Sequence, residues 1–169
     1  MSATKTLVSV EEYLHTVYQP DCDYVDGEVL ERNMAERDHA FIQTALGAYL
    51  FVRRKEWDIT VLTEMRVQVK TGRFRIPDIC VVLGKTYEQI LTTPPFLCIE
   101  ILSPEDRWSR VEERIKDFIS MGVPYIWVLD PHNKTAFIDT PAEGRREVKD
   151  GVLRTQNPNF EVPLGEFFS

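Results

Sequence analysis

One glutamate stands inside an otherwise apolar run of seven residues, 96–102. Side chains alternate in direction along a β-strand, so both faces of this segment are apolar apart from Glu100. A strand of this kind is central in its sheet and covered on both sides. An ionised carboxylate is unfavourable there unless a cation or hydrogen bonds compensate its burial. The run therefore predicts a buried strand whose acid belongs either to a functional site or to a structural ion pair with an arginine.

A second acid, Asp78, stands at the start of another apolar segment, 79–83, directly after Pro77. Alone, a Pro-Asp pair before a strand is more typical of a turn. If the two strands pair antiparallel, however, the start of one lies beside the end of the other, and Asp78 approaches Glu100. Two close carboxylates each make ionisation of the other less favourable, and a divalent cation relieves this repulsion.

The proximity of Asp78 and Glu100 predicts a metal site. Mg²⁺ prefers oxygen ligands, keeps several waters and takes one or two protein carboxylates. Bound Mg²⁺ or Mn²⁺ can activate a water and stabilise a phosphodiester transition state. The pair therefore indicates a metal-dependent phosphodiesterase chemistry.

Local patterns divide the chain into helices and strands. Ser9 and Glu12 form a capping box that starts a short helix, and Asp26-Gly27 predicts a hairpin. Apolar periodicity predicts long helices over 36–56 and 107–121, the second ending at Gly122. Strands are predicted at 59–69, 75–83, 96–102, 125–129 and 134–139, with a turn at Thr71-Gly72, a short helical turn within 84–95 and a hairpin near Asp150-Gly151.

The element order is helix, strands, helix, strands, which predicts a single α/β (α+β) domain over residues 1–169. We expect one mixed β-sheet flanked by helices, with an added N-terminal hairpin and C-terminal strands. The apolar end of the chain, 162–168, predicts either a packed C-terminus or a homodimer contact.

Composition limits the partners and the compartment. Hydrophobic residues make up 43% of the chain and charged residues 28%, which is a globular profile, but the net charge is −7. A surface built throughout for nucleic acid is basic, so DNA contact would have to use a local patch. Cys22, Cys80 and Cys98 form no CxxC pair and predict free thiols in a reducing cytosol. No apolar run approaches the roughly 20 residues of a membrane span, and no signal-peptide pattern is recognised, so we expect a cytoplasmic protein.

Together these segments resemble the PD-(D/E)xK nuclease superfamily, and more closely its Uma-type (Uma-two) family of restriction endonuclease-like domains, which is common in bacteria. The resembling stretches are Tyr24 to Glu28, Asp38-His39 with Gln43, Arg75 to Asp78, Glu100 to Pro104, Gly122 to Pro124 with Trp127, and Asp130-Pro131. The resemblance implies a nuclease-like sheet core in which Asp78 and Glu100 bind Mg²⁺ or Mn²⁺, assisted by the Ile101 carbonyl.

The chain departs from the superfamily pattern at the lysine that follows the second acid by two residues, because that position is Leu102. In variants that the chain resembles, this lysine has moved to the following helix, four residues before an aromatic. Phe118 is that aromatic here, so the matching residue is Arg114. At about 100° per residue, Arg114 lies roughly 80° from the centre of the inward stripe and Lys116 roughly 120°. Arginine is too basic to act as a general base, so we expect Arg114 to stabilise charge.

Further residues are secondary candidates for the site. Glu28 and Glu64 could each add an acid, although both suit a solvated strand face. His39 and Gln43 lie four apart near the start of a helix and could hold a water or a phosphate oxygen. DNA-backbone contacts could come from the basic residues around the site, which are Arg73, Arg75, Arg107, Arg110, Arg114 and Lys116.

Three functional hypotheses follow. The leading one is a Mg²⁺- or Mn²⁺-dependent endonuclease acting on DNA. The second, motivated by Leu102 and the acidic net charge, is a non-catalytic module of nuclease fold that binds DNA or protein. The third is a structural core in which Glu100 meets Arg114 directly.

Overall fold

The computed structural model describes residues 5–168. Its helices are α1 (Val10–His15), α2 (Arg37–Val52) and α3 (Trp108–Met121). Its strands are β1 (Cys22–Val25), β2 (Glu28–Glu31), β3 (Ile59–Thr63), β4 (Val67–Lys70), β5 (Arg73–Arg75), β6 (Ile79–Leu83), β7 (Leu97–Ile101), β8 (Tyr125–Asp130), β9 (Thr135–Thr140), β10 (Gly144–Glu147), β11 (Val152–Arg154) and β12 (Glu161–Pro163).

A mixed six-stranded sheet forms the centre of the fold, in the order β10-β9-β8-β7-β6-β3. Strand β7 pairs antiparallel with β6 and parallel with β8, and α3 supplies the crossover between β7 and β8. All five residues of β7 are buried, as its two apolar faces predict. The predicted mixed sheet flanked by helices is therefore confirmed.

The two long helices cover opposite faces of this sheet. On one face, Leu46 and Leu50 of α2 pack in a cluster with the odd-numbered residues of β7, such as Ile99. On the other face, Ile115 of α3 packs in a second cluster with Cys98. The alternation along β7 thus separates two hydrophobic cores, and it points Glu100 towards the α3 side.

A smaller four-stranded sheet, β2-β1-β5-β4, lies beyond α3 and carries the N-terminal hairpin. Val67 and Val69 of β4 join the cluster that contains Ile115, so α3 is enclosed between the two sheets. Helix α1 closes the far side of the smaller sheet through Tyr13, which stacks on Tyr24 with a centroid distance of 4.9 Å. The small sheet therefore places the end of the N-terminal hairpin beside β6 and β7.

Two predicted strands are wrong because each is divided between the two sheets. The predicted strand 59–69 becomes β3 and β4, separated at Glu64, whose φ of 51° turns the chain. The predicted strand 75–83 is interrupted between Arg75 and Ile79, where Pro77 has no N–H to donate to a ladder. The chain crosses between the sheets at these breaks, and Asp78 lies at one of them.

Other local predictions are mostly confirmed. The Ser9 side chain accepts a hydrogen bond of 3.1 Å from the Glu12 amide, as in a capping box. Gly122 ends α3 with a φ of 109°, a left-handed conformation that glycine adopts readily. The predicted helical turn within 84–95 is wrong, since those residues form bends and an isolated bridge at Leu91.

The tail packs against the main core. In the tail, β11 pairs with β12 to form a hairpin. The turn of this hairpin lies between these strands, after Asp150-Gly151, and not at Asp150-Gly151 itself. Val162, Leu164 and Phe167 are buried in the cluster on the α2 face, in agreement with a packed C-terminus. Within residues 5–168 no helix is long and apolar enough to cross a membrane.

Candidate active site

Asp78 and Glu100 lie side by side at one end of the central sheet. Ile79 of β6 is opposite Ile99 of β7, so the next antiparallel position places Asp78 across from Glu100. The Ile101 amide donates a hydrogen bond of 2.7 Å to Asp78 Oδ2, which extends the connection beyond the ladder. Both acids are almost fully buried, with 1% and 3% exposure. The predicted approach of the two carboxylates is confirmed.

The second oxygen of Asp78 meets two donors. Oδ1 forms an ion pair with Arg32 and lies 3.2 Å from Nε2 of His39. Burial alone would raise the pKa of Asp78, but the His39 hydrogen bond and the Arg32 charge lower it to about 2. Asp78 is therefore a carboxylate at neutral pH, and it accepts hydrogen bonds through both oxygens.

Glu100 is in a different electrostatic position. Nη2 of Arg114 lies 2.9 Å from Oε1 and 2.7 Å from Oε2 of Glu100. Burial raises the pKa of Glu100 to about 8 despite the neighbouring Arg114, and the charge of Asp78 adds to this rise. Arg114 thus offsets the burial of Glu100 only in part, so the protonated form of Glu100 is favoured at neutral pH.

Arg114 reaches the site from α3, as the helix geometry predicts, whereas Lys116 is exposed to solvent. Besides Glu100, its guanidinium donates a hydrogen bond of 3.0 Å to the Ile76 carbonyl and lies 3.5 Å from Asp23. Arg114 is therefore fixed by three separate parts of the chain. The direct Glu100–Arg114 contact expected for a structural ion pair is present, but Asp78 and Glu100 are also adjacent.

A buried ion-pair network joins the small sheet to α3 behind the acids. Arg75 is 2% exposed and contacts Asp117 at 2.7 Å and Asp23 at 3.1 Å. Arg73 also pairs with Asp117, at 2.8 Å, and with Asp26. These contacts correct the expectation that Arg75 tracks a DNA backbone, because its guanidinium is buried, whereas the partly exposed Arg73 is held in ion pairs with Asp117 and Asp26.

The remaining predicted site residues are distributed around the acids. Gln43 Nε2 donates to the Asp78 main-chain carbonyl at 3.1 Å and lies 3.5 Å from Glu64, so it supports the position of Asp78 from behind. Glu28 lines the cavity at its rim and pairs with Lys5 at 2.7 Å. Within residues 5–168, neither the Gln43 nor the Glu28 side chain forms a hydrogen bond or ion pair with the carboxylate of Asp78 or of Glu100.

A cavity of about 440 Å³ opens onto Asp78 and Arg114, the ion-pair partner of Glu100. This volume is in the usual range for small-molecule sites. Its walls come from both sheets and from α3, and they hold the side chains of Asp78, Arg32, His39 and Arg114 together with Glu28 and the exposed Arg110. The titratable lining consists of seven acids, four arginines and one histidine, so the cavity is negative.

The donor set fits a hard divalent cation in residue type. Mg²⁺ takes one or two protein carboxylates, and Asp78 and Glu100 are adjacent. In the part of the chain that is described, no group of three or more His, Cys, Asp or Glu side chains has metal-binding geometry. Arg32 and Arg114 occupy the carboxylate oxygens, and Ile101 contacts Asp78 through its amide.

The sequence patterns did not reveal Arg32 or Asp23. Arg32 follows an edge strand and contacts Asp78, which lies 46 positions further along the chain. No local sequence pattern predicts a contact over such a separation. Asp23 was detectable in principle, because it is a lone acid between apolar neighbours in β1, like Glu100 in β7. Its partner Arg75 could be identified only through the pairing of β1 with β5.

The comparisons agree with this architecture. The structure is similar to the crystal structure of a putative nuclease belonging to DUF820 from Anabaena variabilis, with a TM-score of 0.80 and 20% sequence identity over 95% of this chain and 97% of that chain. This similarity shows a shared fold. No curated protein matches the sequence significantly. The family model described as a putative restriction endonuclease, Uma2, matches residues 10–166, so the chain belongs to the Uma2 family.

Proposed function

We propose that the protein is a metal-dependent endonuclease that hydrolyses phosphodiester bonds in DNA. The observation that carries this proposal is the adjacency of Asp78 and Glu100, two buried carboxylates at the end of a sheet, with an open cavity against Asp78. A purely structural ion pair requires no such cavity. Membership in the Uma2 family, which is described as a putative restriction endonuclease family, supports the same proposal.

Asp78 and Glu100 would hold Mg²⁺ or Mn²⁺, with the Ile101 carbonyl as a further oxygen donor. When bound, such an ion would lower the pKa of a coordinated water and neutralise charge that develops on the phosphoryl oxygens. The Ile101 amide keeps Oδ2 of Asp78 fixed, and Gln43 holds the Asp78 main chain. The ligands are therefore positioned before any ion or substrate arrives.

His39 is our candidate for accepting a proton from the attacking water, a role that requires the ring to turn its buried Nδ1 towards the cavity. An ionised Asp78 can only accept a hydrogen bond, so Nε2 of His39 carries the proton that it donates to Oδ1. When the ring carries only this proton, Nδ1 has a free lone pair. Nδ1 is buried and has no hydrogen-bond partner among residues 5–168, and the ring lines the cavity. This arrangement resembles the orientation of a catalytic histidine by an aspartate.

The charges around the cavity favour binding of a polyanionic substrate only if a cation is also bound there. The protein has a net charge of −7, and acids outnumber arginines in the cavity lining. A phosphodiester would be repelled from such a cavity without added positive charge. Arg107 and Arg110 are exposed at the start of α3 and could contact the flanking phosphates, since helix N-termini also favour anions.

Nicking of supercoiled plasmid DNA tests this proposal. We expect wild-type protein to nick DNA in Mn²⁺ and to be inactive in EDTA. The variant Asp78→Asn should lose activity by about a hundredfold or more, since it removes a ligand charge. Asp150→Asn changes an exposed acid of the C-terminal part of the chain and serves as the matched control. Equal background from wild-type and Asp78→Asn preparations would exclude catalysis at this site.

A second candidate function is a non-catalytic DNA- or protein-binding module. The observation in its favour is that Arg32 and Arg114 already contact oxygens of both acids. In that case the acids serve only the fold, and calorimetry should detect no binding of Mg²⁺ or Mn²⁺ at millimolar concentrations. Binding of either ion that depends on Asp78 would exclude this alternative.

A further inference from the structure

The two arginines at the acid pair are held very differently. Arg114 contacts both oxygens of Glu100 and the Ile76 carbonyl. Arg32 follows the edge strand β2, and within residues 5–168 its guanidinium makes a single polar contact, with Oδ1 of Asp78. Leaving its place would cost Arg32 one ion pair, whereas Arg114 would lose several hydrogen bonds. Arg32 is thus the arginine that can move.

The oxygen that Arg32 occupies is the one available from the cavity. Oδ2 of Asp78 is engaged by the Ile101 amide, whereas Oδ1 is contacted by Arg32 and His39, which both line the cavity. A cation that enters the cavity to reach Asp78 therefore meets Arg32 at the same oxygen. A guanidinium and a divalent ion cannot share this position, because like charges a few ångströms apart repel strongly in a buried site.

We propose that Arg32 is the exchangeable counterion of Asp78. Arg32 neutralises Asp78 while no metal is bound. When a divalent ion takes its place at Oδ1, the Arg32 side chain moves away and its guanidinium binds a phosphate of the substrate. Its planar fork of donors suits phosphate oxygens, and its side chain already lies in the cavity wall. This inference rests on the proposed function, and it assigns phosphate binding to Arg32, leaving Arg114 as a positioning residue for Glu100.

Calorimetric titration with Mn²⁺ alone separates exchange from a structural role. The variant Arg32→Met keeps an apolar stem but removes the competing charge, so we expect it to bind Mn²⁺ about tenfold or more tightly than wild type does. Arg110→Met is the matched control, because Arg110 lines the same cavity without contacting either acid. It has the same change in net charge, and its Mn²⁺ affinity should remain within about threefold of wild type.

Plasmid nicking at saturating Mn²⁺ supplies the second measurement. Here Arg32→Met should be slower than wild type by about a hundredfold, since a phosphate donor is lost. Tighter metal binding together with slower cleavage is the signature of exchange, because a merely structural defect would weaken both. Circular dichroism and the melting temperature confirm that the variant is folded.

The outcomes distinguish this inference from the proposed function. A folded Arg32→Met variant whose Mn²⁺ affinity equals or falls below that of wild type overturns the exchange, even if wild type cleaves DNA. If wild type does not cleave DNA but Arg32→Met still binds Mn²⁺ more tightly, the proposed function fails and the counterion role of Arg32 stands. Absence of Mn²⁺ binding in both proteins contradicts both proposals.

Discussion

The Ile101 amide donates a hydrogen bond of 2.7 Å to Oδ2 of Asp78, across the ends of two paired strands. This bond uses one oxygen of the carboxylate and leaves the other directed at the cavity residues Arg32 and His39. A carboxylate fixed in this way loses little rotamer freedom when it binds a ligand. The pairing of the strands therefore fixes the position of the Asp78 carboxylate. The chemical properties of the site depend on the charged side chains that the sheet brings together.

The first prediction concerns His39. The amide of His39→Gln can replace Nε2 as the donor to Asp78, but it provides no lone pair comparable to that of Nδ1. We expect Mn²⁺ affinity to stay within about threefold of wild type and kcat for DNA cleavage to fall by 10²–10⁴, roughly the contribution of a general base. Calorimetry and steady-state kinetics measure the two quantities. A kcat close to that of wild type would show that His39 is not the proton acceptor.

The second prediction concerns Glu100 and the pH dependence of stability. Because the pKa of Glu100 is raised to about 8 from an ordinary value of 4.5, the folded protein retains a proton that the unfolded chain releases. Stability then decreases as the pH rises between these two values and levels off above the higher one. Asp78 acts in the opposite direction, since its lowered pKa makes the protein lose stability only on acidification towards pH 2.

Glu100→Gln mimics the protonated side chain and removes this titration. We expect the melting temperature of wild type, measured without metal, to fall relative to that of Glu100→Gln as the pH rises from about 6 to about 8.5. Thermal melts in a pH series measure this difference. Parallel curves for the two proteins would mean that Glu100 is fully ionised in the folded state at neutral pH.

The third prediction concerns the ion-pair network behind the site. Arg75→Met removes the central cation and leaves Asp23 and Asp117 without their main partner. Breaking a buried pair by removing one member costs roughly 3–5 kcal/mol of unfolding free energy. Urea denaturation measures this loss. The exposed ion pair of Arg154 is the control, and Arg154→Met should leave the midpoint unchanged. A similar, small effect in both variants would show that the network does not hold the two sheets together.

Much of the site was predictable because its signals are local. The burial of a charged acid in a fully apolar strand must be compensated by a cation or by hydrogen bonds. The position of Glu100 therefore indicated a site without any knowledge of the fold. The alternation along β7 correctly separated the two cores, and Gly122 marked the end of α3. Helix geometry also selected Arg114 over Lys116, since both lie on one regular helix.

The remainder depended on contacts between distant parts of the chain. Pro77 carried a usable signal for the break after β5, because proline cannot donate to a ladder, whereas no turn-forming residue marks the break at Glu64. The contact of Arg32 with Asp78 exists only because the small sheet lies against the end of β6. Loop exits such as the one after β2 have no periodicity from which a side-chain direction could be inferred.

The most direct test of the central claim is an anomalous difference map from crystals grown with Mn²⁺. We expect one strong peak between Asp78 and Glu100, at about 2.0–2.3 Å from an oxygen of each carboxylate, with the Arg32 guanidinium displaced from Oδ1. A map without a peak at this position, with Arg32 still paired to Asp78 at saturating Mn²⁺, would contradict the assignment of the acid pair as a metal centre.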